Sequence, residues 1–152
     1  MPKKKKHKRK NKVIRFFKRL ILYLFLGQLF YIVALRWINP PFTITTLSDR
    51  ISLIGEEQTF HRKWVPLEDI SPYARLAVIA GEDQKFPVHH GFDFQSIENA
   101  WRGNHEGKRR RGASTISQQT AKNVFLWQGG GWFRKGLEVY FTFMIEHIWG
   151  KR

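Results

Sequence analysis

Sixteen consecutive residues without a charge, Leu20 to Leu35, follow directly on a block of basic side chains, and this pairing limits where a fold can lie. The run reaches nineteen residues if Arg36 snorkels and Trp37 and Ile38 are counted, which is close to what a helix needs to cross a bilayer. The preceding block carries Lys3, Lys4, Lys5, Lys6, Lys8, Arg9, Lys10, Lys12, Arg15, Lys18 and Arg19 and no acid. Such a block holds the N-terminus in the cytoplasm, with Tyr31 and Trp37 as interfacial anchors toward the far end. A cleaved signal peptide needs a shorter apolar core and a small-residue cleavage site, whereas Asn39, Pro40, Pro41 and Phe42 follow here. The expected organisation is a basic tail over 1–19, a transmembrane anchor over 20–38 and a folded part over 39–152 on the outer side. A buried core helix is the alternative reading of the run.

The formal charge of +15 invites a nucleic-acid partner, but its distribution argues against one. Beyond residue 19 there remain 16 basic against 12 acidic residues, or +4. The tail has no interleaved aromatic or base-reading side chains, so it is suited to anionic lipid head groups rather than to bases. With no cysteine, disulfides and thiolate metal sites are excluded, and an oxidising compartment is permitted without being required. About 110 residues are left to fold, enough for one modest core.

In that part the elements read as mainly α. FTITTLSDRISLI, after Pro40-Pro41, alternates loosely and is rich in β-branched residues, so an extended strand or linker is expected there. Ser71-Pro72 predicts a helix start, with Tyr73, Leu76, Ala77 and Ala80 at helical spacing and an end near Gly81. Glu82 and Asp83 then fall just past a helix C-terminus, where the dipole disfavours negative charge, a position that suits a base. Asp93 is placed to cap a second helix bearing Phe94, Ile97 and Trp101, and Thr115 with Gln118 has capping-box spacing for a third. Gly129-Gly130-Gly131 separates this from a fourth, whose stripe Phe133, Leu137, Phe141, Met144 and Ile148 predicts core packing. No internal repeat is visible.

Three stretches carry the chemistry: EDQKFPVHHGFD from Glu82, GASTISQQTAKN from Gly112, and RKGLE from Arg134. The first and third each offer an acid. The second offers a glycine-led, hydroxyl-rich helix start, where backbone amides can meet phosphate oxygens and Gly112 lets a ligand approach closely. Read alone, Ser114, Thr115, Gln118 and Gln119 need do no more than cap a helix, and Arg134 with Glu138 is spaced for an ordinary i,i+4 ion pair. His89 and His90 are adjacent and lack the spacing of a shared metal site. The run Lys108 to Arg111 reads as a solvated loop that can attract anionic lipid or a diphosphate.

These residues resemble the peptidoglycan glycosyltransferase family, which polymerises lipid II in monofunctional transglycosylases and in the N-terminal half of bifunctional penicillin-binding proteins. Glu82, Asp83, Phe86, His89, Gly91 and Asp93 are similar to that family's first motif; Gly112, Ser114, Thr115, Gln118 and Gln119 to its second; and Arg134, Lys135 and Glu138 to its third. The lead-in WVPLEDISPYARLAVIAGED and the single anchor also resemble the monofunctional inner-membrane enzymes. The resemblance covers roughly residues 36 to 152 and implies a single transmembrane helix followed by a partial, lysozyme-like helical glycosyltransferase domain. Two further family motifs do not occur before Gly150-Lys151-Arg152, so the chain is expected to be the first part of that domain, as a fragment or truncated frame or with the other helices supplied elsewhere.

The resemblance implies attack by the 4-hydroxyl of an incoming lipid II on the anomeric carbon of a lipid-diphosphate-linked glycan, with release of polyprenyl diphosphate. Glu82 is the expected base and Glu138 the second catalytic acid, either placing the diphosphate through basic neighbours or helping to hold a divalent ion (Mg2+ or Mn2+). No metal ligands are otherwise assigned. Asp83, Phe86, His89, Ser114, Thr115, Gln118, Gln119, Lys122, Arg134 and Lys135 are the expected substrate-binding residues, His89 by holding the first motif in shape. Expected partners are lipid II, the growing glycan strand, the membrane and other cell-wall synthases, and not nucleic acid. The expected location is the inner membrane, with the catalytic part periplasmic. Two other readings remain: a lysozyme-like glycoside hydrolase using two carboxylates, and an inactive membrane-anchored fragment that at most binds.

Overall fold

A computed structural model describes residues 3–54, 63–106 and 112–151, with side chains from residue 12 onward. The chain divides into two compact units, Met1–Ile38 and Asn39–Arg152. The run Lys108 to Arg111 lies outside the described residues.

The first unit is one helix, α1 (Lys3–Ala34). Its stretch Lys12–Ala34, 23 residues, is long and apolar enough to cross a membrane, since at about 1.5 Å per residue it spans ~34 Å. Phe16, Leu22, Leu24 and Phe30 stand exposed along it, as side chains that lipid would cover do. The helix starts within the basic tail and ends before Leu35, whereas the sequence places the apolar segment over 20–38. Residues 35–38 leave the helix through turns, with Trp37 and Ile38 amides bonded back to Ala34.

The second unit is helical, and no strand occurs among its described residues. The first element overturns an expectation. Where FTITTLSDRISLI predicts an extended segment, residues Ile44–Ser52 form α2. The cause is a reciprocal cap: the Thr46 amide donates to Thr43 Oγ1 at 3.1 Å and the Thr43 amide to Thr46 Oγ1 at 2.9 Å. Two orphan donors of the first turn are thus satisfied by residues whose β-branching argues for a strand.

A single 3-10 turn at Leu67–Asp69 leads to α3 (Pro72–Glu82), which starts at the proline as expected, although Ser71 makes no side-chain cap. Helix α4 (Phe94–His105) starts at Asp93, and α5 (Ile116–Phe125) starts at Thr115 with both arms of its capping box formed. The triple glycine then turns the chain into α6 (Trp132–Ile148). Gly130 has φ 90°, and a Cβ there would meet Trp127 Nε1 at 3.1 Å and Arg134 Cβ at 3.2 Å, so both backbone angle and space call for glycine.

Helices α5 and α6 pack side by side, with α2 against α5. Ala121 of α5, Leu126 just after it and Ile145 of α6 are buried, and Phe125 stacks on Phe141 with ring centroids 4.6 Å apart. The predicted α6 stripe is only partly the packed face. Phe133 is 76% exposed, while the buried line is Glu138, Thr142 and Ile145. The physical reason lies in the neighbour: α5 presents a polar first turn, with Thr115, Ser117 and Gln118 all buried, and buried polar atoms require polar partners.

Candidate functional site

Four polypeptide segments meet at an open cleft of about 380 Å³. The end of α3 brings Ala80, Gly81 and Glu82. The following loop brings Asp83 and Lys85, the start of α4 brings Asp93 and Ser96, and the lead-in to α5 brings Gly112 to Thr115. Two helix N-termini and one C-terminus therefore converge on the same space.

Asp83 holds this junction together. Its carboxylate is buried and accepts the Ile116 amide at 3.0 Å through Oδ2, so a residue 33 positions earlier caps the first turn of α5. His89 Nε2 stands 2.8 Å from Oδ2 and 3.0 Å from Oδ1. The Gly91 amide donates to His89 Nδ1 at 3.1 Å, which fixes Nδ1 as the acceptor and leaves Nε2–H to donate to Asp83. Gly91, at φ 86°, is itself clamped: its carbonyl accepts from Thr115 Oγ1 at 2.6 Å. A Cβ on it would come within 2.8 Å of Glu146 Cγ and 3.0 Å of Thr142 Cγ2. The first and second stretches are thus tied at two points of this junction, Asp83 to Ile116 and Gly91 to Thr115.

Asp93 is the second acid of the cleft. It accepts the Ser96 amide at 3.0 Å and the Ser96 hydroxyl at 2.6 Å, with Lys85 Nζ 3.7 Å away. The Ser96 hydroxyl foremost, then its amide, and then the Lys85 charge hold the Asp93 carboxyl below its ordinary value of 3.8, against the opposing effect of burial. Glu82 differs from both. It is exposed, and its one hydrogen bond among the described residues is from Gln119 Nε2 to Oε2, at 2.8 Å. Oε1 accepts from no donor among the described residues.

The amides at the start of α5 are engaged within the protein: Thr115 with Gln118 Oε1, Ile116 with Asp83, and Gln118 with Thr115 Oγ1. The carboxylate of Asp83 occupies the place expected for a phosphate. What remains open to a ligand is the lead-in, Gly112 to Ser114, and a Cβ at Gly112 would meet nothing within 4 Å.

The third stretch does not line this cleft. Glu138 is buried on α6 and accepts from Arg134 Nη1 at 2.9 Å and from Lys135 Nζ. Two cations on one carboxylate are a poor ligand set for a divalent ion, and no group of three or more His, Asp or Glu residues is arranged to hold a metal among the described residues. Arg134 Nε is buried without a hydrogen-bond partner. Lys122 is half-buried on α5 and also away from the cleft. Phe86 packs edge-to-face on His89 and lies 4.3 Å beneath Lys151 Nζ, which makes it a wall of the loop rather than a lining residue.

Two polar residues were not singled out from sequence as parts of a site. Lys85 lines the cleft three residues after Glu82. Glu146 takes the Ser117 hydroxyl and Lys151 Nζ, the latter at 2.6 Å, and so ties α6 to α5 behind Gly91. The signal for Glu146 was present: Glu138, Thr142 and Glu146 recur at i+4 along α6, which puts them on one face.

Comparison with known proteins follows this geometry. A family model described as Transglycosylase matches residues 49–152. The chain belongs to this transglycosylase family. It is similar to the biosynthetic peptidoglycan transglycosylase of Bacteroides thetaiotaomicron, at 44% identity over 145 residues, covering 93% of this chain and 58% of that one. The proteins of the same name from Pasteurella multocida and Xanthomonas campestris are 46% and 49% identical, over 94% and 80% of this chain and 58% and 50% of theirs. The chain therefore spans three fifths or less of the length of these relatives. No solved structure matches it.

Proposed function

We propose that this chain carries the base-bearing half of a peptidoglycan glycosyltransferase site, in which Glu82 takes the proton from the 4-hydroxyl of lipid II as that oxygen attacks a lipid-diphosphate-linked glycan. One observation carries the reading. Of the three acids lining the cleft, Asp83 and Asp93 are committed to helix starts, and Glu82 alone keeps an oxygen free of protein donors among the described residues. A sugar hydroxyl is a very weak acid, so a carboxylate positioned to accept its proton lowers the barrier, typically by ~10² to 10⁴ in rate. Gln119 orients that carboxylate through Oε2 and leaves Oε1 to the substrate. The open backbone from Gly112 to Ser114 receives the donor side.

Glu138 acts here by fixing Arg134 and Lys135, which present positive charge toward a departing diphosphate. No step is assigned to a metal ion. On this reading α1 holds the chain in the membrane that carries polyprenyl-linked substrates, with the basic N-terminus cytoplasmic and residues 39–152 periplasmic. The names of the relatives support the substrate class, and the shared cleft supports the pairing of the first two stretches.

Incubation of the membrane-embedded chain with lipid II, and separately with finished glycan strands, tests this. Polymer from lipid II that disappears in Glu82→Gln is the expected result. Shortened strands would identify a hydrolase, and polymer formed equally by Glu82→Gln would remove Glu82 from the mechanism.

A further inference from the structure

We propose that Lys151, held in place by Glu146, is a positioning residue for the Glu82 cleft, acting through the ring of Phe86; its part in catalysis rests on the glycosyl-transfer reading above. The pair lies outside the cleft and outside the three stretches that sequence marks out. Gly150, at φ 72°, ends α6 in the left-handed turn common after helices, and its amide bonds back to the Ile145 carbonyl at 3.3 Å. Lys151 is thereby returned toward α5. Its Nζ donates to Glu146 Oε1 at 2.6 Å, stands 3.5 Å from Ser117 Oγ and lies 4.3 Å from the centroid of the Phe86 ring. The Glu146 side chain is 6% exposed and also takes the Ser117 hydroxyl. A carboxylate buried to that extent needs its cation, so the ammonium is kept over one ring face rather than free in solvent.

From that ring a series of directed contacts leads into the cleft. Phe86 packs edge-to-face on His89, with centroids 6.2 Å apart and planes at 78°. His89 donates to Asp83 and accepts the Gly91 amide, and Asp83 caps the α5 start through the Ile116 amide. Asp83 also ends α3, its own amide bonded to the Ile79 carbonyl at 3.0 Å. Glu82 is the residue before it, exposed and held by Gln119 alone among the described side chains. The direction of its carboxylate therefore depends on how firmly Asp83 is held. Glu146 adds a second contact: its Cγ stands 2.8 Å from where a Cβ on Gly91 would lie, so the stem that carries the partner of Lys151 also floors the backbone donating to His89. Packing alone would not call for a charge here. A methionine of similar length would cover Phe86 as well, but it would neither pair with Glu146 nor be drawn by charge to the ring face.

The full chain in phosphatidylcholine nanodiscs is compared with Lys151→Arg and with the double variant Lys151→Met, Glu146→Gln, which removes both charges together and leaves no buried carboxylate without a cation. Hydrogen exchange of the Gly91 and Ile116 amides, with the Thr46 amide of α2 as control, is read beside the melting temperature and the kcat and KM of polymer formation from lipid II. The double variant should melt at the wild-type temperature and exchange the Gly91 and Ile116 amides roughly tenfold faster with Thr46 unchanged. Its kcat should fall roughly tenfold at unaltered KM. Lys151→Arg should keep wild-type exchange and most of kcat. Wild-type exchange and kcat in the double variant overturn the role of the pair, and so does a lower melting temperature with all three amides exchanging faster, which would make it a stability element only. Faster exchange at Gly91 and Ile116 with kcat unchanged overturns the link to Glu82. A wild-type chain that makes no polymer overturns the glycosyl-transfer reading, while selective exchange in the double variant would still place Lys151 in control of the His89–Asp83 contacts.

Discussion

Asp83 shows how a single carboxylate can be essential to a cleft without reacting in it. Its two oxygens serve His89 and the start of α5, so the negative charge is balanced by a helix N-terminus and by a donor locked in orientation. Asp83→Asn keeps the volume but removes the charge and puts an NH2 donor where Oδ1 now faces the His89 Nε2–H. The expected cost is about 1–3 kcal/mol, from the unsatisfied donor and the lost charge–dipole term. Denaturant unfolding of the detergent-solubilised chain measures it, and a variant within experimental error of the wild type would show that the α5 start does not depend on this residue. Gly112 makes the opposite case. An added methyl would stand in open space and the backbone angle is not left-handed, so Gly112→Ala should leave the melting temperature unchanged. Because Gly112 lines the cleft, the same variant should weaken diphosphate binding, and a fall in stability without a change in binding would reverse that assignment.

At the scale of elements, caps do most of the placing. Asp93 starts α4 through Ser96, and its carboxyl titrates below 3.8 in the folded chain, chiefly because of the Ser96 hydroxyl and amide. A group with a depressed folded value adds stability above its unfolded value and loses that addition as pH falls through the folded one. Stability should therefore drop as pH is lowered below about 4, and Asp93→Asn should flatten that part of the profile. Equal slopes in wild type and variant would assign the acid sensitivity to other carboxylates. The same local signals explain what could be read in advance. Ser71-Pro72, Asp93, Thr115 with Gln118, and the triple glycine each mark a boundary through nearest neighbours alone, and each boundary lies where those residues put it. The α2 segment was misread because Thr43, Thr45 and Thr46 count toward a strand by composition, while the Thr43–Thr46 cap counts toward a helix by spacing. The α6 face was misjudged for a different reason. A stripe shows which residues share a side, but the polar partner offered by α5 is tertiary information. For the site, Glu82 and the second stretch stood out through their resemblance to family motifs. The 33-residue reach from Asp83 to Ile116, and the separation of Glu138 from the cleft, depend on how helices are arranged in space.

For the whole molecule, a bilayer-suited helix on the same chain as the cleft bears on what substrate the proposed site can meet. A cleft with one uncommitted acid, a flexible lysine and an open backbone edge is modest as a binding site, and capturing a dissolved sugar diphosphate there would carry the full cost of lost translational freedom. On the proposed reading, a helix with 23 residues suited to a bilayer changes that balance, since a lipid-linked substrate and a membrane-held chain would share a surface and meet at raised effective concentration. On that reading membrane retention is part of the chemistry, and the middle of α1 is where it is tested. Leu24 is 64% exposed near the centre of the Lys12–Ala34 stretch. An arginine at such a depth costs about 2.5–3.5 kcal/mol of insertion free energy, less what snorkelling recovers. Leu24→Arg should shift part of the chain from the carbonate-resistant membrane fraction to the soluble one, whereas Leu24→Phe should not. With the cleft unaltered, polymer formed per molecule of Leu24→Arg should fall in proportion to the fraction released. Full polymer yield from released chains would mean that α1 retains the protein at the membrane without contributing to substrate encounter.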